Sequence, residues 1–212
     1  MEKVNVYIDG PNLLGAVSQT LGRRLWVDPY KISEVLVDLR TQIINKIYYS
    51  ETPYSQIGAF PETFKRQQEF FGYLFSYIQS KKIIHICGSY RMEVMRVPSY
   101  ISSRLKDDVR RVVESLSWKR PIEKGGDVGL AIRLVRDAFT TDEFDHAVVI
   151  TEDIDFRGAL NIATANGKKV SIGYINNTHR NAKALRNACP KAGFIQITRR
   201  EIERAVIEPK IG

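Results

Sequence analysis

The stretch KVNVYIDGPN, residues 3–12, is rich in β-branched side chains and closes on Asp9, Gly10, Pro11 and Asn12. Its composition is that of a buried strand ending in a tight turn, since β-branched residues suit a pleated sheet and Gly-Pro interrupts it. Working outward, Leu13–Leu21 reads as a first helix. Asp28-Pro29 sets a capping residue before a proline at the first helical position, which predicts a second helix to about Leu39. Ile43–Ser50 reads as the next strand. Pro61 opens an amphipathic helix with Phe64, Phe71, Phe75 and Ile78 at helical spacing, and Lys82–Cys87 follows as a strand.

The middle departs from this β-α alternation. Tyr90–Val97 reads as an extra edge strand. Ile101, Leu105, Val109, Val112, Val113 and Leu116 make one face of a helix whose other face carries Arg104, Lys106, Arg110 and Arg111. The alternation resumes after Gly125-Gly126 with a helix over Asp127–Phe139 and the apolar strand His146–Thr151. A helix Asp155–Asn166, a strand Lys169–Tyr174, a helix Thr178–Asn187, a last strand and a helix over about 198–207 complete it. Strands with little polar alternation, separated by helices, predict an α/β fold with a mainly parallel central sheet covered by helices on both faces. No repeat or linker interrupts it, so the expectation is one domain over residues 1–212 with a basic, helical insertion at about 90–123.

Composition narrows the class further. The 212 residues are 43% hydrophobic and 26% charged, which excludes disordered, collagenous and low-complexity chains. The longest apolar runs, such as Ala147–Ile150, are far too short to span a bilayer, and no signal-type block follows the start, so a soluble, cytoplasmic protein without a membrane partner is expected. Cys87 and Cys189 form no CxxC or Cys/His pattern and read as two buried thiols. The formal net charge of +8 is concentrated: residues 81–124 hold eleven basic and five acidic side chains. Such a patch suits phosphate, and Arg91, Arg96, Arg104, Arg110, Arg111, Lys119, Arg120 and Lys124 are its candidate contacts. Tyr48, Tyr49 and Tyr54 are candidates for stacking on unpaired bases, with core packing as the plainer alternative.

In open parallel sheets ligands bind beyond the carboxyl ends of the strands, at a topological switch point. Two strands end in acids there: the first at Asp9, with Asn12 three residues on, and His146–Thr151, which runs into Glu152, Asp153 and Asp155. Asp127 stands at a helix start after Gly125-Gly126. Singly, each acid reads more readily as a turn or capping residue. Together they repel one another by several kcal/mol per close pair. A divalent cation removes that conflict, and an oxygen-only donor set favours Mg²⁺ or Mn²⁺.

VYIDGPNLL, GGDVGLAIRLVRDAF and VVITEDIDFRGAL, followed by GKKVSIGYI, resemble the NYN domain, the PIN-like nuclease fold typified in bacteria by LabA-like proteins. The likeness covers about Val4–Ile175 and is weakest from Tyr90 to Glu123. Asp9, Gly10 and Asn12 match its first motif, Lys124 and Asp127 its middle one, and Asp137 a further acid sometimes found there. In the last motif Thr151, Glu152 and Ile154 replace Ser, Gly and Ser. Glu152 therefore adds a charge beside the expected metal site.

The resemblance implies a metal-dependent ribonuclease that hydrolyses phosphodiester bonds with a cation-activated water. Asp9, Asp127 and Asp153 would be principal metal ligands and Asp155 an additional one. Asn12 would contact the scissile phosphate or orient Asp9, and Thr151 would hold Asp153 or a water. The substrate would be single-stranded or structured RNA, with DNA as an alternative, and a homodimer is compatible with the sequence. A different class, an RNA-binding module with little catalysis, is the rival that Glu152 favours. His85 and His146 read as packed imidazoles and His179 as a loop cap. No dinucleotide or P-loop glycine pattern is present.

Overall fold

The computed structural model describes residues 1–54, 61–81, 83–140, 144–175 and 179–207, with backbone alone at 61–63, 75–81 and 179–181. The first half runs β1 (Glu2–Asp9), α1 (Gly10–Leu21), α2 (Pro29–Glu34), β2 (Gln42–Ser50), α3 (Pro61–Lys81) and β3 (Ile83–Ile86). The middle runs β4 (Ser89–Arg96), α4 (Ser99–Ser102), α5 (Asp107–Ser115) and β5 (Ser117–Lys124). The second half runs α6 (Gly126–Ala138), β6 (His146–Ile150), a 3-10 turn (Ile154–Phe156), α7 (Arg157–Ala165), β7 (Lys169–Ile175), α8 (His179–Ala188), β8 (Gly193–Ile197) and α9 (Arg199–Ala205). Among the described residues β3-β2-β1-β6-β7-β8 form one sheet, and every pairing in it is parallel.

The strand period of two divides the core. Val4, Val6 and Ile8 of β1 point to one face, where they meet Leu13 and Val17 of α1, Ile32 of α2, Phe70 and Leu74 of α3, and Ile202 of α9. Tyr7 points to the other, against Leu130 and Leu134 of α6, Leu160 of α7 and Leu185 of α8. Each such side chain, fully buried, contributes about 1.5–3 kcal/mol. The result is a three-layer α/β sandwich. On the second face Tyr7 and Tyr48 stack at 5.0 Å, Tyr7 donates to Asp137 at 3.0 Å, and Arg133 pairs with Asp137 at 2.9 Å while lying over the Tyr48 ring. Asp137 therefore belongs to the packing of α6 on β1 and β2.

Several sequence expectations change. The second helix stops at Glu34 instead of about Leu39, because Asp38 gathers the Arg40 amide and the Thr41 hydroxyl into a turn that leads directly into β2. Tyr90–Val97 is not an edge of the main sheet: β4 pairs antiparallel with β5 as a separate ribbon. The single helix expected over 101–116 is two, since Asp107 and Asp108 favour a fresh helix start. Ser102 then donates to Glu114 at 2.8 Å and folds α4 onto α5. Cys87 is exposed, while Cys189 is buried. Tyr48 and Tyr49 are fully buried, so neither ring has a face open for stacking and the core-packing alternative holds. The side chains of Phe75, Ile78 and His179 lie outside the described residues. No described helix is long and apolar enough to cross a membrane.

His146, at the start of β6, sits between Gln42, whose amide approaches Nδ1 at 3.1 Å, and Ser171, whose hydroxyl lies 2.9 Å from Nε2. Burial pushes its pKa down to about 4 from an ordinary 6.5. Between those values the unfolded chain holds more protons, so stability falls as pH drops from about 6.5 towards about 4. Urea unfolding at several pH values should show that decline, and His146→Gln should flatten it. An undiminished slope in the variant would assign the decline to other groups.

Candidate active site at the β1–β6 switch point

The chain steps from β1 to β2 to β3 in one direction and returns on the other side of β1 as β6, so the switch point lies between β1 and β6. The register sets Ile8 beside Ile150, which places Asp9 and Thr151 side by side at the carboxyl edge. Asp9 is 5% exposed. Its Oδ1 accepts the Asn12 amide at 3.3 Å, capping α1, and its Oδ2 accepts the Thr151 hydroxyl at 3.1 Å. Gly10 is required next to it: a Cβ there would stand 2.1 Å from the Ser50 carbonyl oxygen.

The rest of the edge is tied to this aspartate. Thr151 Oγ1 accepts the Asp153 amide at 3.1 Å, and Asp153 Oδ1 accepts the Asp155 amide at 2.9 Å, which shapes the 3-10 turn. Asn12 Oδ1 accepts the Glu152 amide at 3.0 Å, clamping the α1 start to the loop after β6. Burial raises the Asp9 pKa to about 6, and the charges of Asp153 and Asp127 add to the rise. Asp127 lies in the first turn of α6, which follows Gly125 at φ +88°, and is not its cap. Asp155 is exposed on the turn. The structure thus brings Asp9, Asn12, Thr151 and Asp153 into one hydrogen-bonded unit, with Asp127 as an electrostatic neighbour.

Glu152 behaves unlike its sequence expectation. Its carboxylate turns to the end of β7 and accepts the Ile175 amide at 3.1 Å, holding a neighbouring strand instead of crowding the aspartates. A different glutamate comes closer. Glu51, directly after β2, is 2% exposed, with Oε1 accepting from Gln67 at 3.0 Å and its backbone oxygen 2.6 Å from His85 Nε2. Burial raises its pKa to about 8, countered by Gln67 and Arg24 and reinforced by Glu123 and Asp9. No sequence signal singled it out, because its burial depends on α3 folding across the end of β2.

The acids offer oxygen donors only. Among the described residues no three Asp, Glu, His or Cys side chains form a cage for an ion by themselves. The set suits a hard divalent cation that keeps much of its water, and a positive charge there would favour the ionised Asp9 that burial, and to a smaller extent Asp153 and Asp127, disfavour. The basic candidates Arg91, Arg96, Arg104, Arg110, Arg111, Lys119, Arg120 and Lys124 all lie on the segment from β4 to β5. Arg110 is partly neutralised by Asp107 and Glu114, and Lys124 by Glu93.

An α/β sandwich whose main sheet is parallel throughout its described strands, with a buried aspartate at its switch point flanked by further acids from two helix starts, is an acid-edged fold of the PIN-like nuclease type. The NYN domain family model matches residues 3–198, and the chain belongs to that family. Among solved structures, the crystal structure of a protein of unknown function from Vibrio parahaemolyticus RIMD 2210633 superposes with a TM-score of 0.56 at 13% identity, covering 97% of this chain and 96% of that one. That likeness is one of fold. No curated protein matches.

The Glu51 carboxyl binds its proton near 8 when folded and near 4.5 when unfolded, so the folded state holds more protons between those values and stability falls as pH rises through them. Glu51→Gln should remove that slope and raise stability by at least about 1 kcal/mol near pH 8.5. Chemical denaturation at about pH 5 and pH 8.5 measures it; a variant less stable at both would refute the assignment.

Proposed function

We propose that the protein is a metal-dependent ribonuclease. The observation that carries this reading is the buried Asp9, held by Thr151 and Asn12 beside Asp153 and Asp127 at the switch point. Asp9, Asp127, Asp153 and Asp155 would hold Mg²⁺ or Mn²⁺, which when bound lowers the pKa of water and neutralises phosphate oxygens. The chain's own residues supply the placement. Thr151 fixes the Asp9 carboxylate and the Asp153 amide with one hydroxyl, and Asn12 fixes the α1 start against the β6 loop, so both strand ends hold their acids in one geometry. Cytoplasmic RNA is the substrate this reading favours, and DNA cleavage is the alternative the same chemistry allows.

The β4–β5 ribbon supports the nucleic-acid part of the reading. The β4–β5 pairing sets Met92 and Val94, both half exposed, across from Pro121 and Lys119 on one face, with Arg96 further along. Apolar and cationic groups so interleaved suit a single strand, with phosphates on the cations and bases on the apolar surface. A second reading, a nucleic-acid binder without hydrolysis, is favoured by the absence of a close three-ligand cage among the described residues.

Cleavage of end-labelled RNA with Mn²⁺, Mg²⁺ or EDTA separates the two. Asp9→Asn and Asp153→Asn should each slow metal-dependent cleavage at least about a hundredfold while RNA binding persists. Wild-type rates in either variant would refute the site, and binding without any cleavage by the wild type would establish the second reading. Arg96→Glu with Lys119→Glu should weaken RNA binding and reduce the salt slope by about one to two. An unchanged slope would remove the ribbon from the interface.

A further inference from the structure

The β4–β5 ribbon meets the acid edge at a single carboxylate. Glu123, the last residue but one of β5, pairs across the ribbon with Tyr90 and is half-buried. Its Oε1 accepts the Thr52 hydroxyl at 2.8 Å and the Gly126 amide at 3.2 Å. Thr52, fully buried just beyond β2, accepts in turn the Gly88 amide at 3.1 Å. One carboxylate oxygen therefore joins the chain after β2, the entry to β4 and the first residue of α6. Lys124, its neighbour, pairs instead with Glu93 of the ribbon at 3.4 Å.

The space around that oxygen is shaped by two glycines. A Cβ at Gly88 would stand 2.3 Å from Glu123 Oε1 and one at Gly126 2.5 Å from it, so either would expel the carboxylate from its seat. The Gly126 Cβ would also stand 2.7 Å from Ser50 Oγ, and Ser50 is the register partner of Asp9 in the β1–β2 pairing. Gly126 is thus set closely against the β2 residue beside Asp9, and Asp127 is the next residue along. The joint before it is a pair of glycines: Gly125, at φ +88°, has no side chain with which to cap α6. Glycine loses more conformational freedom on folding than any other residue, so such a joint needs an outside contact to hold one geometry. Glu123 supplies that contact to the first amide of the helix, a group that has no partner within the helix itself.

We infer that Glu123 is a positioning residue for Asp127: it holds the first turn of α6 against the end of β2, and so keeps the Asp127 carboxylate beside the Asp9 edge; the inference rests on the metal-dependent reading proposed above. Glu123 acts through the Gly126 amide and not by touching the cation. Its acceptor oxygen and its reach therefore matter, and its charge does not. Glutamine keeps both reach and acceptor while losing the charge, whereas aspartate keeps the charge and is one methylene too short for Thr52 and Gly126. A residue that acted as a ligand, or through its field, would show the opposite order. Partners that orient metal-holding groups are worth about 10–100-fold in metal affinity.

Calorimetric titration of the full chain with Mn²⁺, in the absence of RNA, reads the placement of the acids apart from any turnover. Glu123→Asp should weaken Mn²⁺ binding about tenfold or more, and Glu123→Gln should stay within about threefold of the wild type. Urea unfolding of the same proteins separates this from a purely structural role: a less stable Glu123→Asp that binds Mn²⁺ as the wild type does would overturn the inference. Weakened binding in Glu123→Gln would overturn it too, by assigning the effect to charge. The Mn²⁺ titrations decide the matter whether or not RNA is cut. If the wild type cleaves RNA with Mn²⁺ and Glu123→Asp leaves Mn²⁺ affinity unchanged, the nuclease reading stands without this role for Glu123. A wild type that binds no Mn²⁺ and cuts no RNA would refute the metal-dependent reading and, with it, the inference.

Discussion

Burial of the Asp9 carboxylate is the constraint around which the sheet edge is arranged. A carboxylate removed from water is costly unless its lone pairs are used. The Asn12 amide and the Thr151 hydroxyl use them, and they come from opposite sides of the switch point. The strand ends are thereby coupled: Thr151 holds Asp153, Asp153 shapes the turn into α7, and Asn12 holds the loop at Glu152. Gly10 lets the Ser50 carbonyl approach closely enough for β2 to end alongside. These contacts order the edge at an energetic expense, since burial and two neighbouring acids still raise the Asp9 pKa to about 6.

How far the sequence reveals this depends on the range of the interaction. The parallel sheet is legible because each strand is a continuous apolar run and each crossover begins with local capping chemistry, as at Asp9-Gly10-Pro11 or Asp28-Pro29. The β4–β5 ribbon is less so. Its second strand, SWKRPIEK, has no apolar alternation and contains a proline, and only pairing with β4 makes it a strand. The split of the expected helix over 101–116 also depends on a tertiary contact, Ser102 to Glu114. Local periodicity continued across that break because it reports which residues are apolar, not where the chain folds back.

The site divides in the same way. The convergence of Asp9, Asn12 and Asp153 is legible in the sequence because strand ends in an open sheet converge by topology, whereas Thr151 is singled out there only by the family resemblance. Glu152 illustrates the limit of that reasoning: two residues adjacent in sequence send their side chains to different strands, Thr151 to Asp9 and Glu152 to the Ile175 amide. Glu51 illustrates the converse. It is brought near Asp9 by parallel pairing of β2 with β1 and buried by Gln67 from α3, neither of which leaves a local pattern.

The two acids near the edge differ in how they are satisfied. Asp9 has each of its oxygens engaged by the protein, so its position is fixed before anything binds. Glu51 has one oxygen fixed by Gln67 and the other unpartnered, so its burial is incompletely compensated in the isolated chain. A group left in that condition destabilises the fold unless a ligand donor completes it, and its neutral amide counterpart would suit the fold better. Asp9 is thus held at both oxygens by the two strand ends, whereas Glu51, across Gly10 from it, keeps one buried oxygen without a partner.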